Sequence, residues 1–150
     1  MSPRLAIFVS RFNEEVTTGL LRGAKSYLSE QGISVAQEDI VWVPGAFELP
    51  LAAQTMARQK RHGGVICLGC VVKGETAHFE FISLGVSMGI MQASLATETP
   101  ISFGVLTTYN DGQAEARSKD DASNKGREAA AACLEMVKML EHIRQKDSGS

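Results

Sequence analysis

Leu68-Gly69-Cys70-Val71-Val72-Lys73-Gly74-Glu75-Thr76-Ala77-His78 changes character at its middle. From Val65 to Val72 the residues are almost all apolar and rich in β-branched side chains, the pattern of a strand buried on both faces. Lys73-Gly74 breaks that run, and a helical spacing begins after Thr76. Strand, tight turn and helix start, in that order, predict a βα unit whose turn lies at the carboxyl edge of a parallel sheet, where ligands collect. Free N–H groups of the first helical turn favour an anion there. His78 adds a proton carrier beside it, and a neutral imidazole can take or relay a proton near neutral pH. Gly74 lets the backbone approach a ligand closely, and Thr76 can cap the helix or donate a hydrogen bond. The same residues also suit an ordinary strand-to-helix turn.

Working outward, the unit repeats. Leu5 to Val9 is an apolar strand, followed by the loop Ser10-Arg11-Phe12-Asn13, in which Asn13 is placed to cap a helix. Val16, Leu20, Ala24, Tyr27 and Leu28 share one helical face, and Gly32 stops that run. Ile40 to Val43 is the second strand, broken by Pro44-Gly45. Leu49, Ala52, Ala53, Met56 and Ala57 stripe the second helix, with Pro50 tolerable in its first turn. Arg58, Lys60 and Arg61 crowd its end, where cations suit the helix dipole. Phe79, Ile82, Val86, Ile90 and Ala93 mark the third helix, and Gly85 and Gly89 leave room for close packing. Ile101 to Leu106 is the fourth strand. A short helix around Gln113 to Arg117, a polar link from Ser118 to Ser123 and a last helix from near Asn124 complete the pattern, and the tail from Gln145 is expected to fray. Four strands alternating with helices, each crossover long enough for a right-handed parallel connection, predict one α/β domain over residues 1–150. It is a three-layer αβα sandwich with a four-stranded parallel sheet ordered 2-1-3-4. So small a sheet leaves edges and apolar helix faces that copies of the chain would cover.

Composition narrows the function classes. At 150 residues, 44% hydrophobic content and a formal net charge of −2, the chain carries neither the basic footprint of a nucleic-acid binder nor a disordered composition. No apolar run reads as long enough to span a bilayer, and Met1-Ser2-Pro3-Arg4 has no signal-peptide shape, so a cytoplasmic protein is the default expectation. Cys67 and Cys70 have CxxC spacing, but on a strand that spacing points them to opposite faces, unlike a zinc knuckle or redox turn. With Cys133 they read as small buried residues. His62 and His142 fall on polar stretches and read as surface. No cluster has metal-ligand spacing, and the loop after the first strand has neither a dinucleotide fingerprint nor a P-loop.

The loops after the four strands meet at one edge. Phe12 there either stacks on a planar heterocycle or staples onto the first helix. Glu48 either accepts hydrogen bonds from a polyol or only complements a helix start. Phe103 is placed on the last strand near that edge. Arg117 and Lys125, flanking the last link, either clamp a phosphate or are surface cations.

Several motifs together resemble one family. They are Ser10-Arg11-Phe12-Asn13, Val43-Pro44-Gly45-Ala46-Phe47-Glu48-Leu49-Pro50, Leu68 to Phe79, Phe103-Gly104-Val105-Leu106-Thr107, Gln113-Ala114 with Arg117, and Asn124-Lys125-Gly126. In this order, over nearly the whole chain, they are similar to the 6,7-dimethyl-8-ribityllumazine synthases of riboflavin biosynthesis. The resemblance implies a flavodoxin-like fold and a cofactor-free condensation of 5-amino-6-(D-ribitylamino)uracil with 3,4-dihydroxy-2-butanone 4-phosphate, releasing phosphate and water. It implies that Phe12 stacks on the pyrimidine, that Ala46, Phe47 and Glu48 hold that substrate and its ribityl chain, and that Cys70, Val71 and Val72 line the ring pocket through their backbone. Glu75 and Thr76 would hold the phosphate through loop N–H groups, and His78 would transfer protons. The implied sites lie between adjacent subunits of a homo-oligomer, a pentameric ring, with Phe103 and Arg117 from the next copy and Lys125 a further candidate cation. An icosahedral shell of rings and association with riboflavin synthase are larger assemblies that the resemblance leaves open. The chain departs from the pattern at Asp121, where many bacterial members carry lysine. Two rivals stand beside the enzyme reading: a module that binds a flavin, lumazine or phosphorylated sugar without turnover, and a structural shell protein. His78 beside Gly74-Glu75-Thr76 favours catalysis, since tight binding alone needs no proton relay.

Overall fold

The computed structural model describes residues 2–148, with side chains through residue 146. The chain runs β1 (Leu5–Ser10), α1 (Glu14–Glu30), β2 (Ile40–Val43), α2 (Leu49–Arg58), β3 (Gly64–Val72), α3 (His78–Thr97), β4 (Ile101–Thr108), α4 (Asp111–Ser118) and α5 (Lys125–Ser148). Single 3-10 turns, Gln37–Asp39 and Ala46–Glu48, stand at the two ends of β2. The strands form one parallel sheet in the order β2-β1-β3-β4. This is the predicted three-layer arrangement.

Alternation along the strands makes the layers. Leu5, Ile7 and Val9 of β1, Ile66, Leu68 and Cys70 of β3 and Leu106 of β4 face α1, α4 and α5. Ala6, Phe8, Val65, Cys67, Val71, Ile101 and Val105 face α2 and α3 on the other side. Cys67 and Cys70 therefore lie on opposite faces, as strand geometry requires. Close packing between layers depends on missing side chains: a Cβ on Gly89 would stand 2.8 Å from the Pro50 ring, so α2 and α3 meet at that glycine.

Four expectations are corrected. Asn13 occupies the N-cap position of α1 but makes no side-chain cap. Its backbone is left-handed (φ 62°), which asparagine tolerates, and its amide instead donates to the Cys70 carbonyl at 3.1 Å. His62 is not on the surface: its Nε2 lies 2.9 Å from a carboxylate oxygen of buried Asp39, a partner 23 residues away in the chain. The tail does not fray at Gln145, because α5 continues to Ser148. Lastly, α3 is by length and composition alone long and apolar enough to cross a bilayer. Its small residues Ser83, Gly85 and Ser87 interrupt the apolar side chains without adding charge. One face of α3 packs on the sheet through Val86, Ile90 and Ala93, while Phe81, Leu84, Met88, Met91 and Leu95 stay exposed.

Candidate active site

The carboxyl edge of the sheet is uneven, and that unevenness makes the site. β1 stays paired with β3 only as far as Val9 beside Leu68, whereas β3 runs on to Val72. Val65 and Lys73 donate their N–H groups towards β4, to Pro100 and Thr108. The even residues of β3 therefore turn their backbone groups the other way, where β1 has already ended. The Cys70 carbonyl takes the Asn13 amide there. Beyond it, the Val72 backbone groups face the cleft, a donor and an acceptor side by side.

The loop after β1 is fastened over this edge. Arg11 and Phe12 N–H groups donate to the Val43 and Pro44 carbonyls at 2.8 and 3.2 Å, so the loop follows β2 before Asn13 ties it to β3. Pinned on both sides, the Phe12 ring projects outward at 70% exposure. It is not stapled onto α1. The turn Ala46–Glu48 drops close to β3 because Gly69 has no side chain: a Cβ there would stand 3.1–3.5 Å from Ser10, Leu49 and Ala46. Phe47, 59% exposed, leans on the bare backbone of Gly85 in α3.

These groups enclose a cleft of about 320 Å³, lined by Phe12, Gly45, Ala46, Phe47, Cys70, Val71, Val72, Gly74, Thr76, His78, Phe79 and Ile82. Eight predicted site residues are among them: Phe12, Ala46, Phe47, Cys70, Val71, Val72, Thr76 and His78. His78 is the first residue of α3, and its backbone N–H is held by the Thr76 hydroxyl at 3.3 Å, although the N-cap position itself is Ala77, which offers no side-chain cap. Its imidazole has no hydrogen-bond partner among the described residues. Burial pushes the Cys70 thiol up to about 11, so it is no nucleophile at neutral pH. Glu48 and Glu75 are exposed and stand outside the lining, although the Glu48 carboxylate folds back over Gly45, 3.2 Å from where a Cβ would be.

Phe103, Arg117 and Lys125 lie elsewhere. Phe103 pairs with Cys67, in the first half of β4 and not at the carboxyl edge. With residues 104–108 of β4, Arg117, Lys125 and Glu128 it lines a second cleft, of about 310 Å³, on the outer flank of the sheet. Arg117 donates to the Gln113 carbonyl of its own helix at 3.0 Å, and Lys125 pairs with Glu128 at 3.0 Å. No residue lines both clefts.

Reasoning from sequence missed Phe79 and Ile82 as lining residues, since a helical stripe reads as core. It also missed Tyr109, 69% exposed just past β4, whose ring meets Phe79 at 6.3 Å and carries the Lys73 ammonium at 5.6 Å. An aromatic directly after a strand's carboxyl end was the available signal.

Comparison with known proteins gives this geometry a family. The profile of the family described as 6,7-dimethyl-8-ribityllumazine synthase matches residues 2–141. The chain is 67% identical over 143 residues to 6,7-dimethyl-8-ribityllumazine synthase 1 of Caulobacter vibrioides, an alignment covering 95% of this chain and 94% of that one. It is 46% identical over 144 residues to the 6,7-dimethyl-8-ribityllumazine synthase of Lactiplantibacillus plantarum, covering 96% and 91%. Sequence, fold and comparison agree that the chain belongs to the 6,7-dimethyl-8-ribityllumazine synthase family.

Proposed function

We propose that the chain forms 6,7-dimethyl-8-ribityllumazine at a site completed by a neighbouring copy of itself. Membership of the family gives the reaction: 5-amino-6-(D-ribitylamino)uracil condenses with 3,4-dihydroxy-2-butanone 4-phosphate, losing phosphate and water, in riboflavin biosynthesis. The observation that carries the shared site is the split of the implied substrate residues between two clefts with no residue in common. The first cleft offers what the pyrimidine needs. Phe12 stacks on the ring, the Val72 backbone reads its polar edge, and Glu48 accepts hydrogen bonds from the ribityl hydroxyls. The turn of Glu75 and Thr76 takes the phosphate, and His78 moves protons during imine formation, phosphate elimination and ring closure. The second cleft offers Phe103 to the opposite face of the ring and the cations Arg117 and Lys125 to the phosphate.

An all-round apolar helix is normally buried, and the outward face of α3, with Phe81, Leu84 and Met88 exposed, supports a further copy there. The same reading makes the assembly a pentameric ring and its location cytoplasmic; light scattering separates a single ring from a shell of rings.

Complementation tests the shared site. Each of His78→Ala and Arg117→Ala is expected to be strongly impaired when assembled alone. When equal amounts are unfolded and reassembled together, about a quarter of the sites receive an intact His78 from one chain and an intact Arg117 from its neighbour. Activity should rise towards that fraction. No gain over the two separate variants would place the whole site within one chain.

A further inference from the structure

We propose that Asn124 is a positioning residue that sets the distance between Arg117 and Lys125 and fastens both to α1. The inference rests on the reading of those two cations as the phosphate pole. Asn124 is 1% exposed and fully bonded. Its amide nitrogen donates to the Lys119 carbonyl at 2.7 Å and to the Gly19 carbonyl of α1 at 3.1 Å. Its amide oxygen accepts the Gly126 and Arg127 N–H groups at 2.8 and 3.1 Å, capping α5. One side chain thus holds the exit of the helix that carries Arg117, the entry of the helix that begins at Lys125, and the helix behind both. The two cations have only local partners of their own, so the frame that sets their separation is this amide.

The surrounding glycines are consistent with a built site. A Cβ on Gly23 would stand 2.1 Å from the Asn124 amide oxygen, and one on Gly126 would meet the Leu20 carbonyl at 1.9 Å. A Cβ on Gly19 would stand 2.4 Å from the Ser118 carbonyl. The α4 exit and the α5 entry are therefore pressed onto α1 at backbone distance, and any movement of Asn124 is passed to residues on both sides of the link.

Steady-state kinetics on the assembled protein test this, with each substrate varied in turn and inorganic phosphate as a competitive probe. Asn124→Asp keeps the oxygen that accepts both capping bonds but loses both donations, and it puts a carboxylate against two carbonyls. It is expected to raise KM for the butanone phosphate and the inhibition constant for phosphate roughly tenfold, with KM for the pyrimidine within about twofold. Gly23→Ala, which displaces the amide without removing it, should give the same split. Added to Asn124→Ala, where the space is free, it should add less than about a further twofold. Equal rises in both KM values, or additive effects of Gly23→Ala and Asn124→Ala, would overturn the inference. Arg117→Ala separates the two levels. If it raises KM for the phosphate substrate and the Asn124 variants do not, positioning alone fails; if it leaves that KM unchanged, the phosphate pole fails and the inference with it.

Discussion

The two ends of the sheet treat polar groups in opposite ways. At the amino end, Arg4, Asp39 and His62 each come just before a strand, and they satisfy one another. The buried Asp39 carboxylate accepts from Arg4 Nε and a terminal guanidinium nitrogen at 2.9 and 3.0 Å and from His62 Nε2 at 2.9 Å. A carboxylate only accepts, so Nε2 is the donor, while the buried Nδ1 has no hydrogen-bond partner among the described residues. At the carboxyl end the equivalent positions hold Phe12, Phe47 and His78, exposed and without such partners. One end closes on itself and joins β1, β2 and β3; the other is held by backbone ties and leaves its side chains for a ligand. Stability and chemistry are thus separated along the strand axis, and variants at the two ends should separate the two readouts.

The largest effect is expected at the closed end. Asp39→Ala leaves a buried imidazole and a guanidinium without their acceptor, at a cost of about 3 kcal/mol in unfolding free energy. Urea denaturation measures it. Turnover of the protein that remains folded should stay within about twofold of wild type, because the cleft lies at the far end of the strands. A collapse of kcat in the folded fraction would mean that the ends are coupled. At the open end the pattern should invert. His78→Ala is expected to lower kcat about fiftyfold, within the range for losing one proton-transfer group. Its unfolding free energy should move by less than about 0.5 kcal/mol, since the exposed imidazole has no hydrogen-bond partner among the described residues. Spectroscopic binding of the lumazine product should persist, and its loss would make His78 a structural residue.

The open end was the more legible one in sequence, for a physical reason. Its groups are local: Gly74, Thr76 and His78 follow β3 within a few residues, and a strand-turn-helix pattern fixes where such residues fall. The opposite facing of Cys67 and Cys70 follows from strand periodicity, and the sheet order from the doubly wound pattern that alternating βα units favour. The closed end was misread because its partners are remote. His62 sits among Lys60, Arg61 and Gly63, and nothing nearby announces Asp39. Asn13 misled in the same way: its expected cap is local, but its real bond reaches Cys70 across 57 residues. Phe103 is placed near the carboxyl edge by its position on the last strand, whereas the register with Cys67 puts it in the first half of β4, on the flank. The exposed face of α3 is the opposite case. The stripe facing the sheet was correctly read, but the apolar residues between its members were not weighed.

The smallest effect concerns acid. The Arg4 guanidinium hydrogen bond, foremost, and then the bond from His62 hold the Asp39 carboxyl below its ordinary value, with burial opposing them. A carboxyl whose folded value is depressed stabilises the fold above its unfolded value, near 3.9 for Asp, where it is charged in both states. As pH falls past that value, the unfolded chain takes up the proton first and the advantage shrinks; it is gone once the folded carboxyl is protonated too. Glu30 beside Arg127 and Asp121 beside Ser123 are shifted in the same direction, so the total acid sensitivity of the protein does not isolate Asp39. The difference between wild type and Asp39→Asn does, because the other carboxyls cancel. That difference in unfolding free energy should narrow as pH falls below about 4. Urea curves at a series of pH values measure it. A difference that stays constant into that acid range would mean that the carboxylate charge adds nothing beyond its hydrogen bonds. The closed end would then be held by geometry, and the contrast with the open end would be one of packing rather than of charge.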